Sequence, residues 1–336
     1  MKQWLLRLLG GAATATPPAA QPPSSAPSPA SAPETPAAGR SPTDDDAVPR
    51  QVDLAFYRWL TDPVRGDAAP SSEALILAEL ERLARDPAAA GELVPRVPAV
   101  VPQLLRSLRD DSVSGADLAR QIARDSVLVA EVIREANTPL FRSAKPVTTI
   151  DGAVMVLGEN GLRILLARVA FRPVINMQGG RVVRAVAPRL WLHSDACALA
   201  ASLLAPDYGA DPFEAYLAGL VLDVGLMVAF RLIDHLDQPV VPQSDAFCEA
   251  LLACGRELAA GIATHWELPP FVASAIARAG RAGTQPLAEA LGRADLLARL
   301  RLLVDHGVYG VEDAPLPALL AGPAGRYFER LGNRDA

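Results

Sequence analysis

Every long apolar segment of this 336-residue chain repeats its apolar side chains at three-to-four spacing, the period of a helix buried along one face. Leu75, Leu77, Leu80 and Leu83 show it early, and the stretch from Leu287 to Asp305 shows it late. Strand signals are confined to the short β-branched pairs Val182-Val183 and Val240-Val241. The expected fold class is therefore all-α. Half of the residues are hydrophobic, enough for a sizeable core in one large or two ordinary domains.

The chain divides by composition. Residues 1–10 form a short amphipathic segment, with Trp4, Leu5, Leu8 and Leu9 at helical spacing among Lys2 and Arg7. It is too short to span a bilayer, and Arg7 interrupts what a secretory signal would need. The expectation is a cytoplasmic protein with at most weak membrane association by residues 1–9. Residues 11–50 are dominated by Ala and Pro and end in Asp44-Asp45-Asp46. Such a segment buries too little apolar surface to offset its ordering entropy, so it reads as a disordered linker. Residues 51–92 read as a helical lead-in without an assignable role: an aromatic cluster of Phe56, Tyr57 and Trp59, then a helix that Ser71 or Ser72 can cap. Residues 93–305 carry the main domain, and 306–336 are a C-terminal extension.

Charge and cysteine content exclude some functions. A formal net charge of −6 argues against general nucleic-acid binding, which needs a marked Lys/Arg excess. Cys197, Cys248 and Cys254 lie in apolar helical patterns with no metal-ligand spacing, as core residues of a reducing compartment would. No Gly-rich phosphate loop, Ser/His/Asp ordering or H-E-x-x-H pattern is present, and no cofactor is called for.

The stretch from Leu190 to Val228 concentrates what chemistry there is. His193 reads as standing at the mouth of one helix, and Asp223, thirty positions on, as lying inside a second. Asp211 as N-cap, Pro212 at the first helical position and Glu214 three residues past the cap mark the second helix's start. A helical metal phosphohydrolase would place adjacent His and Asp at this point, giving the metal a nitrogen and an oxygen side by side. Here Leu222 precedes Asp223, and leucine coordinates nothing.

Several motifs in fixed order resemble one family. They are Val97-Pro98 before a leucine-rich helix, Asp117-Leu118-Ala119, Asp125-Ser126-Val127-Leu128, Arg134-Glu135-Ala136-Asn137-Thr138, Ala153 to Gly158, Leu190 to Ser194, Ala218-Gly219-Leu220, Trp266-Glu267-Leu268-Pro269 and Ala294-Asp295-Leu296-Leu297. Together they are similar to the HDOD, or HD-related output domain, family of bacterial signalling proteins. The resemblance implies a two-lobed all-α domain, preceded here by the disordered arm, related to HD phosphohydrolases but generally without their full metal set and regulatory in role. This chain departs from the pattern at Ser126, Thr138 and Leu222, and at Ala277-Arg278-Ala279-Gly280, where paired histidines often occur.

Two functional readings follow. In one, His193, Asp223 and Asp295 hold a metal that activates water for phosphoester hydrolysis; in the other they are degenerate remnants and the site has neither metal nor catalytic residues. The second is the expectation: not an enzyme, but a module that acts through contacts with signalling proteins. Its candidate binding surface is a run from Asn160 to Ser194 with no acidic residue before Asp195 and six arginines: Arg163, Arg168, Arg172, Arg181, Arg184 and Arg189. Such a patch could receive an acidic partner or the phosphates of a nucleotide messenger, unless the arginines pair with carboxylates inside the fold. Arg181 and Arg184 read as lying in a connecting segment after Gly179-Gly180.

Overall fold

The computed structural model describes residues 44–93, 115–123, 126–137, 146–175, 179–281, 283, 285–313, 316–320 and 323–332. The amphipathic segment 1–10, the linker as far as residue 43 and the leucine-rich run at 97–108 lie outside the described residues. Among those described the structure is helical, without strands; Arg65 and Val241 form an isolated bridge.

Helix α1 spans Asp44–Thr61, α2 Pro70–Arg85 and α3 Pro87–Leu93. Helices α4 (Gly115–Ile122), α5 (Ser126–Ala136) and the long α6 (Ile150–Ile175) follow. The larger body contains α7 (Arg181–Tyr208), α8 (Pro212–Val221), α9 (Val224–His235), α10 (Asp245–His265), α11 (Pro270–Arg278) and α12 (Pro286–Asp305). Short α13 (Leu316–Leu319) and α14 (Pro323–Gly332) close the chain.

Two lobes can be told apart. In the smaller, α4 and α5 pack on α6, which Gly158 interrupts at φ 67°. The far half of α6 reaches α7 and α8 in the larger lobe, whose centre is α7 packed between α8 and α12. Close approach sets the residue types here. A Cβ on Gly225 would lie 1.8 Å from the Gly255 carbonyl oxygen, so only glycine lets α9 cross α10 at that depth. The stretch Pro212–His235 is apolar enough to cross a membrane by composition, yet 94% of its apolar 18-residue window is buried inside the fold. It is a core segment of the larger lobe.

Helix starts follow local chemistry in some places and long-range contacts in others. Asp211 caps α8 by accepting from the Glu214 N–H at 2.8 Å, with Pro212 at the first position, as the sequence indicates. Neither Ser71 nor Ser72 caps α2, because that helix begins earlier, at Pro70 with Ala69 before it. Helix α1 begins at Asp44, inside the segment expected to be linker. Arg181 and Arg184 are in the first turn of α7 rather than in a connecting segment. The reason is a cap from elsewhere in the chain: the Asp234 carboxylate, on α9, accepts from the Val182 and Val183 N–H groups at 2.9 Å each.

The lead-in is no appendage. Phe56, Tyr57 and Leu60 are fully buried, and α1 packs against α7, α10 and α12. At roughly 1.5–3 kcal/mol for each large apolar side chain buried, this helix is integral to the core.

Candidate functional site

His193, Asp223 and Asp295 come together in the interior of the larger lobe. Their placement differs from the sequence reading in two respects. His193 is well inside α7, and Asp223 occupies the turn between α8 and α9, because the apolar stretch breaks at Leu222-Asp223. Asp295 is on α12. His193 is wholly buried, and Asp223 and Asp295 are nearly so.

The histidine is held between the two carboxylates. Its Nδ1 lies 2.7 Å from Asp223 Oδ2, and its Nε2 lies 3.2 Å from Asp295 Oδ1. The second contact is an ion pair at that distance, without the alignment of a hydrogen bond. Ser194 Oγ donates to the same Asp223 oxygen at 2.8 Å. Burial pulls the His193 pKa down, but the neighbouring Asp223 and Asp295 carboxylates more than offset it and hold it at about 9.

Four residues outside the expected set complete the cluster. Arg299 Nε donates to Asp295 Oδ1 at 2.8 Å, its Nη1 donates to Asp53 Oδ1, and its guanidinium lies 4.9 Å from the centre of the Phe56 ring. Arg256 Nη2 reaches Asp295 Oδ2 at 3.2 Å. Phe56 itself packs on the His193 imidazole, ring centres 4.5 Å apart. Burial opposes ionisation of Asp295, but Arg299, His193 and Arg256 hold its pKa well below the usual carboxylate range. Arg299 was legible as a possibility, since it stands four residues after Asp295 on one helix. Asp53, Phe56 and Arg256 carry no local signal.

These residues do not fit a divalent metal ion. A metal needs free carboxylate lone pairs, whereas both Asp295 oxygens face guanidinium groups and one Asp223 oxygen is taken up by His193 and Ser194. The position beside Asp223 is the buried Leu222. What the arrangement does is bind its own charges to one another.

The six arginines of the basic run are distributed over two helices and several environments. Arg163 is buried within α6. Arg168, mostly buried, lies 3.1 Å from Asp195 Oδ2 and 3.4 Å from Glu135 Oε2, while Arg172 donates to Glu135 Oε1 at 2.5 Å. Arg189 donates to the Trp59 carbonyl and stacks 5.2 Å from its ring. Arg181 and Arg184 are exposed and donate to the carbonyls of Pro239 and Gly179. Glu135, Arg168 and Asp195 thus form a second buried cluster where α5, α6 and α7 meet, close to Tyr216 of α8. The Tyr216 hydroxyl is buried without a hydrogen-bond partner among the described residues.

Residues 94–281, more than half of the chain, match the family described as HDOD domain. The chain belongs to the HDOD domain family. Its fold is also that of solved structures. An HDOD domain protein of unknown function from Geobacter sulfurreducens is 21% identical with a TM-score of 0.53, over 85% of this chain and 89% of that one. A protein of Shewanella amazonensis SB2B, provisionally named a metal-dependent phosphohydrolase, is 19% identical with a TM-score of 0.55, over 79% of this chain and all of that one. A protein of Marinobacter aquaeolei VT8, provisionally named a signal transduction protein, is 18% identical with a TM-score of 0.51, over 87% of this chain and 63% of that one. Such identities show a shared fold. No curated protein matches the chain. Asp53 and Phe56 precede the HDOD match, and Asp295 and Arg299 follow it, so the flanking segments complete the HDOD domain's buried cluster.

Proposed function

We propose that this HDOD protein is a non-catalytic regulatory module of bacterial signal transduction, working in the cytoplasm through contacts with other signalling proteins. The observation that carries the reading is Arg299. Its guanidinium is buried against Asp295 and Asp53, and with Arg256 it supplies the positive charge that would otherwise have to come from a metal ion. With Leu222 beside Asp223, no group in the cluster is left to activate water on a metal. Arg181 and Arg184, exposed at the start of α7, are the cations that an acidic partner surface would meet.

The competing reading, a residual metal-dependent phosphohydrolase, draws on the name of the Shewanella protein and on the convergence of His193, Asp223 and Asp295. Metal analysis of the purified full chain, run beside hydrolysis assays on nucleotides and cyclic dinucleotides, separates the two. The expected result is no stoichiometric transition metal and no hydrolysis above background. About one tightly held metal per chain, lost together with activity in His193→Ala, would replace the regulatory reading with the hydrolytic one.

A further inference from the structure

Beside the ion cluster, and sharing Asp53, Asp295 and Arg256 with it, lies an open cleft of about 480 Å³. That volume falls within the range of small-molecule sites, roughly 300–1,000 Å³. Arg256, Arg281 and Arg293 line it, from α10, the segment after α11, and α12. Gly280, Gly283 and Gly292 contribute no side chains to the wall, and a Cβ on Gly292 would lie 2.3 Å from the Gly280 nitrogen, so glycine is what lets α12 pack directly on the turn after α11. Tyr208, at the end of α7, and Leu296 add an aromatic and an aliphatic surface.

Charge sets the chemical class of a ligand. Three carboxylates also line the cleft: Asp53, Asp295 and Glu289. Arg299, behind the lining, already pairs with Asp53 and Asp295, and His193 lies against Asp295, so the two are neutralised from within. Arg293 donates to the Leu319 carbonyl, a neutral acceptor that leaves its full positive charge; Arg256 shares its Nη2 with Asp295 at 3.2 Å, while its Nε has no acceptor among the described residues. Planar guanidinium donors suit phosphate oxygens, to which they bond in pairs.

We propose that this cleft binds a small organic phosphate with a planar group, of the size of a nucleoside monophosphate. The phosphate sits against Arg256 and Arg293, and the planar group lies on Tyr208 and Leu296. The site holds the ligand without turning it over, so it gives the regulatory module a chemical input separate from its protein contacts.

Calorimetric titration of the full chain tests this with the four ribonucleoside monophosphates, the matching nucleosides and inorganic phosphate. At least one monophosphate should bind and be recovered intact, more tightly than inorganic phosphate, while its nucleoside does not bind measurably. Arg293→Ala should weaken that binding by about tenfold, the worth of one charge-assisted hydrogen bond. Tyr208→Ala should weaken the monophosphate but not inorganic phosphate, and thermal unfolding without ligand checks that both variants are folded. The proposal falls if no monophosphate binds, if inorganic phosphate binds as tightly as all four, or if neither folded variant changes the affinity. A bound monophosphate that is hydrolysed would leave the site standing and overturn the non-catalytic reading instead. Failure to bind would leave that reading as it is.

Discussion

His193 and Asp195 stand two residues apart on α7, and each belongs to a buried charge cluster, but the clusters are built on different terms. Around His193 the carboxylates of Asp223, Asp295 and Asp53 meet the imidazole, Ser194, Arg256 and Arg299, with contacts from three further helices and one turn. Around Asp195, where the smaller lobe joins the larger, Arg168 reaches both Asp195 and Glu135, and Glu135 also accepts from Arg172. Arg168 Nη1 is buried without a hydrogen bond among the described residues, as is the Tyr216 hydroxyl. The first cluster sets three carboxylates against three cations within one lobe, although His193 Nε2 and Arg256 Nε form no hydrogen bond among the described residues. The second is a junction between lobes, where α5, α6 and α7 bring Glu135, Arg168, Arg172 and Asp195 together. A buried ion is tolerable when its partners are fixed, and costly wherever one is missing.

The comparison can be broken most directly at Arg299. Replacing it as Arg299→Leu leaves Asp295 and Asp53 without their shared cation, and denaturant unfolding should show a loss of about 3–5 kcal/mol. A loss below about 1 kcal/mol would mean that the cluster is not a connected network.

A somewhat smaller effect separates the clusters by pH. Because the His193 pKa is raised from 6.5 to about 9, the folded state holds that proton more tightly than the unfolded chain. Its contribution is therefore fully present below pH 6.5 and is lost as pH rises through about 9. Stability should fall by about 3 kcal/mol across that window, and His193→Gln should flatten the fall. An unchanged slope in His193→Gln would assign the pH dependence to another group.

The smallest expected effect lies in the second cluster. Burial raises the Tyr216 phenol pKa well beyond its ordinary value, and the hydroxyl forms no hydrogen bond among the described residues. Tyr216→Phe should be neutral or stabilising by up to about 1 kcal/mol, since it removes a buried polar group that has no partner. A clear destabilisation in thermal unfolding would reveal a hydrogen bond there and make the two clusters alike.

How much of this could be read beforehand depended on the distance over which each signal acts. The all-helical fold, the Asp211 cap, the end of α12 near Gly307 and the candidates His193, Asp223 and Asp295 rest on spacing or on motifs within short windows. Asp53 meets Arg299 across 246 positions and Asp234 caps α7 from 52 positions away, and no window of sequence contains both partners. The same blindness left α1 as a lead-in, since its aromatic residues announce burial but not what they bury against. The arginine run was misleading for a related reason. A stretch free of acids in sequence says nothing about acids supplied by a neighbouring helix, and Glu135 of α5 and Asp195 of α7 take the charge of Arg168, while Glu135 also takes that of Arg172.

The flanks of the matched family region carry Asp53, Phe56, Asp295 and Arg299, four of the groups around His193. Recombination that moved only residues 94–281 into another gene would carry the His193–Asp223 pair intact but would strand Arg256 without Asp295 and Asp53, the carboxylates it faces. The physical unit that keeps this cluster whole therefore extends past residues 94–281 on both sides.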